Sequence, residues 1–231
     1  LNAVSMGHVG ATLTILCLHY LKHMRDREGL LKSTILGWCG ILIGVLIVLA
    51  AGARGAIVSL VAVILFELMA SRSSRSFIFL VASALAGVVF LPTILDLLEA
   101  NGVGVGSRLT AMIEGEDSAI SGRTISYLAA WSVFLDSPIL GQSLVDPVFK
   151  TYPHNIILEA LMSTGLLGTT FLLFAIVGGL ALAKRQFRAR DGGEWLSLLY
   201  VQALTGAMFS GAIYSVAGFW IALAGLLGFE A

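Results

Sequence analysis

Charge is what this 231-residue chain has least of: Asp, Glu, Lys and Arg together make up 12% of it, where a soluble domain carries about 25%. With 58% hydrophobic residues and a mean hydropathy of +0.93, that shortage excludes an ordinary soluble globule. The chain reads as an integral membrane protein. There is no excess of positive charge either, since 14 Lys and Arg face 14 Asp and Glu, which argues against nucleic acid as a partner. The two cysteines, Cys17 and Cys39, lie in apolar runs and suggest no disulfide framework. No Asp-rich metal motif is present; Asp96, Asp136 and Asp146 are scattered, so metal-independent chemistry is expected, with Asp146 a reserve base. The basic start of a signal peptide is missing, and Leu1 is not an initiator methionine. The chain therefore reads as trimmed, with an upstream part expected.

What the chain does have is long apolar runs. They cover 9–21, 35–51, 56–70, 77–95 and 156–183, and 195–228 is too long for one untilted span of about 20 residues. Ser210-Gly211 and the stretch from Ser215 to Gly218 predict a turn that divides this last run. The expectation is an all-α polytopic membrane protein with about seven transmembrane helices. Residues 1–95 supply four helices, with Arg54 in a hairpin. Residues 96–155 form a long loop on the outer side, and 156–231 supply the C-terminal helices. Basic residues agree with this layout: the loops at 22–34, 71–76 and 184–195 hold 10 of the 14 Lys and Arg. These become the cytoplasmic loops by the positive-inside rule, leaving Arg54, Arg108, Arg123 and Lys150 outside.

In the outer loop, Asn101 to Gly106 is glycine-rich, and Glu114, Glu116 and Asp117 form an acidic, solvated knot. An amphipathic helix is predicted over 121–136, with Ser121 as N-cap and a stop before Ser137-Pro138. Ile125, Leu128, Ser132 and Leu135 line one face of it, and Arg123, Tyr127, Trp131 and Phe134 another. Such a helix suits the membrane interface.

Three residues expected on the outer side can carry chemistry. Tyr152-Pro153-His154-Asn155 stands at the mouth of the fifth run, where Pro153 fits a first helical turn and places His154 near a helix N-terminus. Arg54 lies in Gly52-Ala53-Arg54-Gly55 between two spans; it reads as an interfacial arginine or as a phosphate ligand, whose fork fits phosphate oxygens bidentately. Arg123 reads as a headgroup anchor or as a second such ligand, and His154 as an interface histidine or a proton acceptor near pH 7. Taken together they suit a lipid-linked sugar diphosphate. Two arginines would hold the diphosphate and stabilise the charge it gains on leaving, while a neutral histidine accepts the proton of the attacking hydroxyl. Gly165 and Gly168, like Gly178-Gly179, read as sites of close helix packing in lipid. His8, His19 and His23 suggest no site.

Tyr152-Pro153-His154-Asn155, with nine residues between Asn155 and Gly165 and with Gly168 closing the pattern, resembles the signature of the O-antigen ligase and polymerase superfamily. The stretch Gly122-Arg123, Trp131 and Pro138-Ile139-Leu140-Gly141-Gln142 is similar to the family's segment just upstream, and Ala53-Arg54-Gly55 to its arginine hairpin. The resemblance implies a membrane-embedded helical fold like that of lipid-carrier (GT-C-like) glycosyltransferases, in the bacterial inner membrane with the site facing the periplasm. It implies transfer of a glycan from undecaprenyl diphosphate without a nucleotide donor or other cofactor. The acceptor would be lipid A core for a ligase, or another lipid-linked glycan for a polymerase. Arg54 and Arg123 would bind the diphosphate, His154 would activate the acceptor hydroxyl, and Asn155 would orient the loop or a substrate group; Tyr152, Gly165 and Gly168 would support the site. Members of the family have about a dozen spans, so further helices are expected upstream of Leu1.

Two other classes compete with a glycosyltransferase. A transporter places ionisable groups at mid-membrane and often shows an inverted repeat; here Glu67 is read as the one acidic residue inside an apolar run, and no repeat is visible. A structural subunit that binds a partner through its polar loop leaves the three cationic candidates without a role.

Overall fold

The computed structural model describes residues 2–23, 30–71, 118–147, 150 and 152–228. Among the described residues there are seven helices and no strands: α1 (Ala3–His23), α2 (Leu30–Ala51), α3 (Arg54–Ser71), α4 (Ser118–Asp136), α5 (Ile156–Ala189), α6 (Glu194–Phe209) and α7 (Ala217–Gly228). Segments within α1, α2, α3 and α5 are long and apolar enough to cross a bilayer, and α7 is a shorter apolar helix. Side chains of α2 such as Leu36, Leu42 and Leu46 are exposed, a surface suited to an apolar membrane environment. The chain is a multi-pass membrane protein. The span expected at 77–95, the basic residues Arg72 and Arg75, the glycine-rich stretch 101–106 and the acidic knot at 114–117 lie outside the described residues.

The chain divides into two units. In the first, α1 packs along α2 through small residues on both helices. A methyl group added to Gly10 would stand 2.7 Å from the Gly44 carbonyl oxygen, and one added to Gly40 would meet the Cys17 sulfur. Helices in lipid gain nothing from hiding apolar surface from water, so this close approach is where their van der Waals contact is won. The α2–α3 hairpin turns at Gly52, whose φ of 58° suits glycine. Ala53 and Ala56 enter a cluster with Ala11 and Val48. At the other end of the hairpin helices, Lys22 pairs with Glu67, Phe66 meets Phe187 edge-on at 5.7 Å, and Arg188 Nε donates to the Ala70 carbonyl at 3.0 Å.

The second unit holds α4, the segment after it, the first part of α5 and the loop between α6 and α7. Helix α4 starts three residues before the expected Ser121 cap. Ser118, Ala119 and Ile120 are compatible with helix and extend its first turn upstream. Its inward stripe is Ala130, Val133 and Phe134, all buried, and Ala130 and Val133 pack with Met162 as a small core. Trp131, Ile125, Leu128 and Leu135 face outward. The expected aromatic face is therefore split: Phe134 turns in and Trp131 out, although their rings still meet at 5.1 Å.

Candidate functional site

Pro153 lies outside the first turn of α5, where the sequence led us to expect it. The helix begins at Ile156, and Asn155 is its N-cap: the side-chain Oδ1 accepts the amide hydrogens of Ile157 at 3.0 Å and Leu158 at 3.1 Å. An asparagine oxygen satisfies two of the donors that any helix start leaves open, and that decides the boundary in its favour. The Asn155 amide nitrogen donates to the Met208 carbonyl at 3.2 Å, tying the cap to the end of α6.

His154 immediately precedes this cap and takes φ of 54°, a left-handed conformation uncommon for a residue with a side chain. Pro153 is buried behind it, and the Tyr152 ring lies 4.4 Å from the imidazole, centroid to centroid. A left-handed residue between a fixed proline and a helix cap has little freedom, so the imidazole is presented from a rigid point. Burial, and after it the positive charge of Arg123, holds the half-buried imidazole below the usual histidine range. Arg123 stands two turns before Ala130 on α4, on the stripe that continues through Tyr127 to Phe134. The structure thus brings Arg123 and His154 into one electrostatic neighbourhood. Asp146 is buried in the segment between α4 and α5, and its carbonyl accepts the Lys150 amide hydrogen at 2.9 Å.

Gly165 has a different part from the helix packing expected of it. Its φ and ψ of 62° and −160° break α5, and residues 138–143 lie against the break. In a regular helix the Leu166 amide would donate to the Met162 carbonyl. Here it donates to Pro138 O at 2.8 Å, Leu167 donates to Ile139 O at 3.2 Å, and Gln142 N–H takes the vacated Met162 carbonyl at 2.9 Å. The two amides that the break releases and the vacated Met162 carbonyl thus find backbone partners, as an interrupted helix in an apolar setting requires. Gly141, at φ 74°, approaches the same helix so closely that a Cβ would lie 2.4 Å from the Thr164 nitrogen. Gly168 stays helical, and a Cβ there would collide with the Thr164 side chain, 2.2 Å from its Oγ1.

Sequence reasoning passed over Glu159. It lies in the fifth apolar run as Glu67 lies in the third, so the rule that singled out Glu67 was enough to find it. Glu159 is fully buried, and its Oε2 accepts the Ile213 amide hydrogen at 2.8 Å.

Arg54 belongs to the first unit and is the first residue of α3, half-buried next to the buried Ala53. The first turn of α3 is closed by the Ala53 carbonyl, which accepts from Ala56 at 3.0 Å and Ile57 at 3.4 Å. A guanidinium at that position extends from the end of a tight two-helix connection, and a fork of five donors can grip an oxyanion from there.

No curated protein and no solved structure matches the chain. The profile of the O-antigen ligase family matches residues 39–173, more than half of the length, and takes in the Arg54 hairpin, α4, the docked segment 138–143 and α5 through the break at Gly165. The chain belongs to the O-antigen ligase family.

Proposed function

We propose that the protein is a membrane glycosyltransferase that moves a glycan from undecaprenyl diphosphate to an acceptor hydroxyl on the periplasmic side of the bacterial inner membrane, without a metal ion. The observation that carries the reading is the placement of His154, held in a left-handed conformation directly before the Asn155 cap of α5 in a chain of the O-antigen ligase family. Burial and the Arg123 charge favour the neutral imidazole, and a neutral imidazole is the form that accepts a proton. His154 takes the proton from the acceptor hydroxyl as its oxygen attacks the anomeric carbon. The bond from that carbon to the diphosphate oxygen breaks, and the electron pair leaves with the lipid diphosphate. Arg54 and Arg123 hold the diphosphate and offset the negative charge it gains. Asn155 keeps the imidazole in place through the cap. Seven spans in a lipid-carrier (GT-C-like) arrangement complete the reading.

Arg123 acts twice in this scheme. In the empty site its charge works against a proton on His154. Once a diphosphate lies against the guanidinium, the two charges offset one another and the imidazole becomes a stronger base. Substrate binding therefore prepares the proton acceptor.

The test is transfer by the full-length protein in detergent, with an undecaprenyl-diphosphate glycan as donor and EDTA present. Lipid A core and a second lipid-linked glycan are offered separately as acceptors. Product with lipid A core that disappears in His154→Ala supports the ligase reading, which the spacing from Asn155 to Gly165 favours. Product with the lipid-linked acceptor alone makes the protein a polymerase. Absence of product with both, from folded protein, overturns the reading in favour of transport.

A further inference from the structure

A carboxylate with no solvent exposure is costly unless both of its oxygens are satisfied. Glu159 is in that position, one turn into α5. Its Oε2 accepts the Ile213 amide hydrogen, and its Oε1 is buried with no hydrogen-bond partner among the described residues. An apolar residue would fill the place at lower cost, so packing alone does not account for a glutamate.

What Glu159 holds is the tip of the loop between α6 and α7, residues 210–216. The Ile213 peptide is gripped on both sides, since its carbonyl accepts the Trp220 indole hydrogen at 2.8 Å. The Ser215 hydroxyl donates to the Ala212 carbonyl at 3.0 Å and accepts the Ala212 amide hydrogen at 2.9 Å. The Asn155 amide donates to the Met208 carbonyl at the end of α6, just before the loop. The start of α5, whose cap follows His154, thus holds both the loop at Ile213 and the helix end that leads into it. One residue beyond Ile213, Tyr214 is 73% exposed. A fixed loop carrying an open phenol ring is suited to a sugar, whose ring offers a C–H face to the aromatic face and hydroxyls to the phenol oxygen.

Resting on the glycosyltransferase reading, we propose that Tyr214 contacts the glycan of the lipid-linked substrate and that Glu159 is its positioning residue, acting through Ile213. Steady-state kinetics of the full-length protein test this, with donor and acceptor varied separately. Tyr214→Ala raises KM for one glycan substrate about fivefold to tenfold, the scale of one lost aromatic contact, while kcat stays within about twofold. Tyr214→Phe keeps the ring and stays near wild type. Glu159→Ala raises the same KM, whereas Glu159→Gln, whose amide oxygen still accepts from Ile213, restores it. In the double variant Glu159→Ala, Tyr214→Ala the two effects do not add, because the first already misplaces the second.

Unchanged KM in Tyr214→Ala, additive effects in the double variant, or a Glu159→Ala variant that only lowers the amount of active protein overturns the inference. Should Glu159→Ala not fold, Tyr214→Ala and Glu159→Gln decide it. His154→Ala run beside them separates the two levels. If transfer survives that change, the functional reading falls and this inference with it; if transfer is lost while Tyr214→Ala is silent, this inference falls alone.

Discussion

A Cβ atom placed on Gly165 would stand 2.4 Å from the carbonyl carbon of Ile139. These two residues meet backbone to backbone because α5 opens at that point and the segment after α4 lies in the opening. The contact fastens the start of α5, and with it the cap that follows His154, to the segment that follows α4.

Gly165→Ala should therefore be among the most damaging small substitutions in the chain. The backbone conformation there belongs to glycine and costs of order 1–3 kcal/mol for other residues, and the clash with Ile139 adds to that. Thermal unfolding in detergent should fall by several degrees, and transfer should be lost. Gly178→Ala meets nothing within 4 Å and is the matched control, expected to leave both unchanged.

Arg123→Gln removes a charge that disfavours protonation of His154. The histidine pKa lies below its ordinary value of about 6.5, so neutral base persists to lower pH than usual, and activity falls as pH drops through the lowered value. Without the arginine only burial still lowers it, so the acidic limb of kcat/KM should move to higher pH. Arg123→Lys keeps the charge and should leave the limb in place while losing the fork that grips the diphosphate. In the wild type the limb of kcat, which reports the loaded enzyme, should lie at higher pH than that of kcat/KM. A pH–rate series with the three proteins checks all of this.

Asn155 should separate its two bonds on substitution. Asn155→Asp keeps an oxygen for the Ile157 and Leu158 amides and loses the donor to Met208; Asn155→Ala loses both. Loss of the cap costs about 1 kcal/mol, and loss of the Met208 bond a further ~1 kcal/mol. Unfolding midpoints should therefore order as wild type, then aspartate, then alanine.

Arg54→Lys should impair donor use about tenfold or more at saturating acceptor, since the charge survives but the bidentate grip does not. It should leave the acidic limb where it is. Wild-type kinetics in both Arg54→Lys and Arg123→Lys would remove the diphosphate clamp from the proposal.

Much of this was legible in the sequence for reasons that can be named. Apolar runs mark membrane helices because lipid offers their backbone no hydrogen bonds. Ser210-Gly211 and the stretch from Ser215 flank the break between α6 and α7 because serine and glycine satisfy and permit a turn. Arg123 and His154 stood out as basic side chains in an apolar chain. Other features had no local signature. Gly165 fits helix packing and a helix break equally well, and only residues 138–143, more than twenty positions upstream, decide between them. Pro153 had two allowed places near a helix start, and the Asn155 side chain chose between them. The inward side of α4 is set by Ala130 and Val133 against Met162, which lies on another helix and leaves no mark on the periodicity of α4.

The nine residues from Ile156 to Thr164, between cap and break, measure about 14 Å along a helix that rises 1.5 Å per residue. They work as a gauge. One end is pinned by the docked segment and the other carries the imidazole, so their number sets how far His154 stands from the break and in which direction it points. A single deletion between them would draw His154 in by about 1.5 Å and turn it by about 100° around the axis. Both fixtures would survive, yet the histidine would face elsewhere. Substitutions within the gauge are a matter of packing; a change in its count is a change of address.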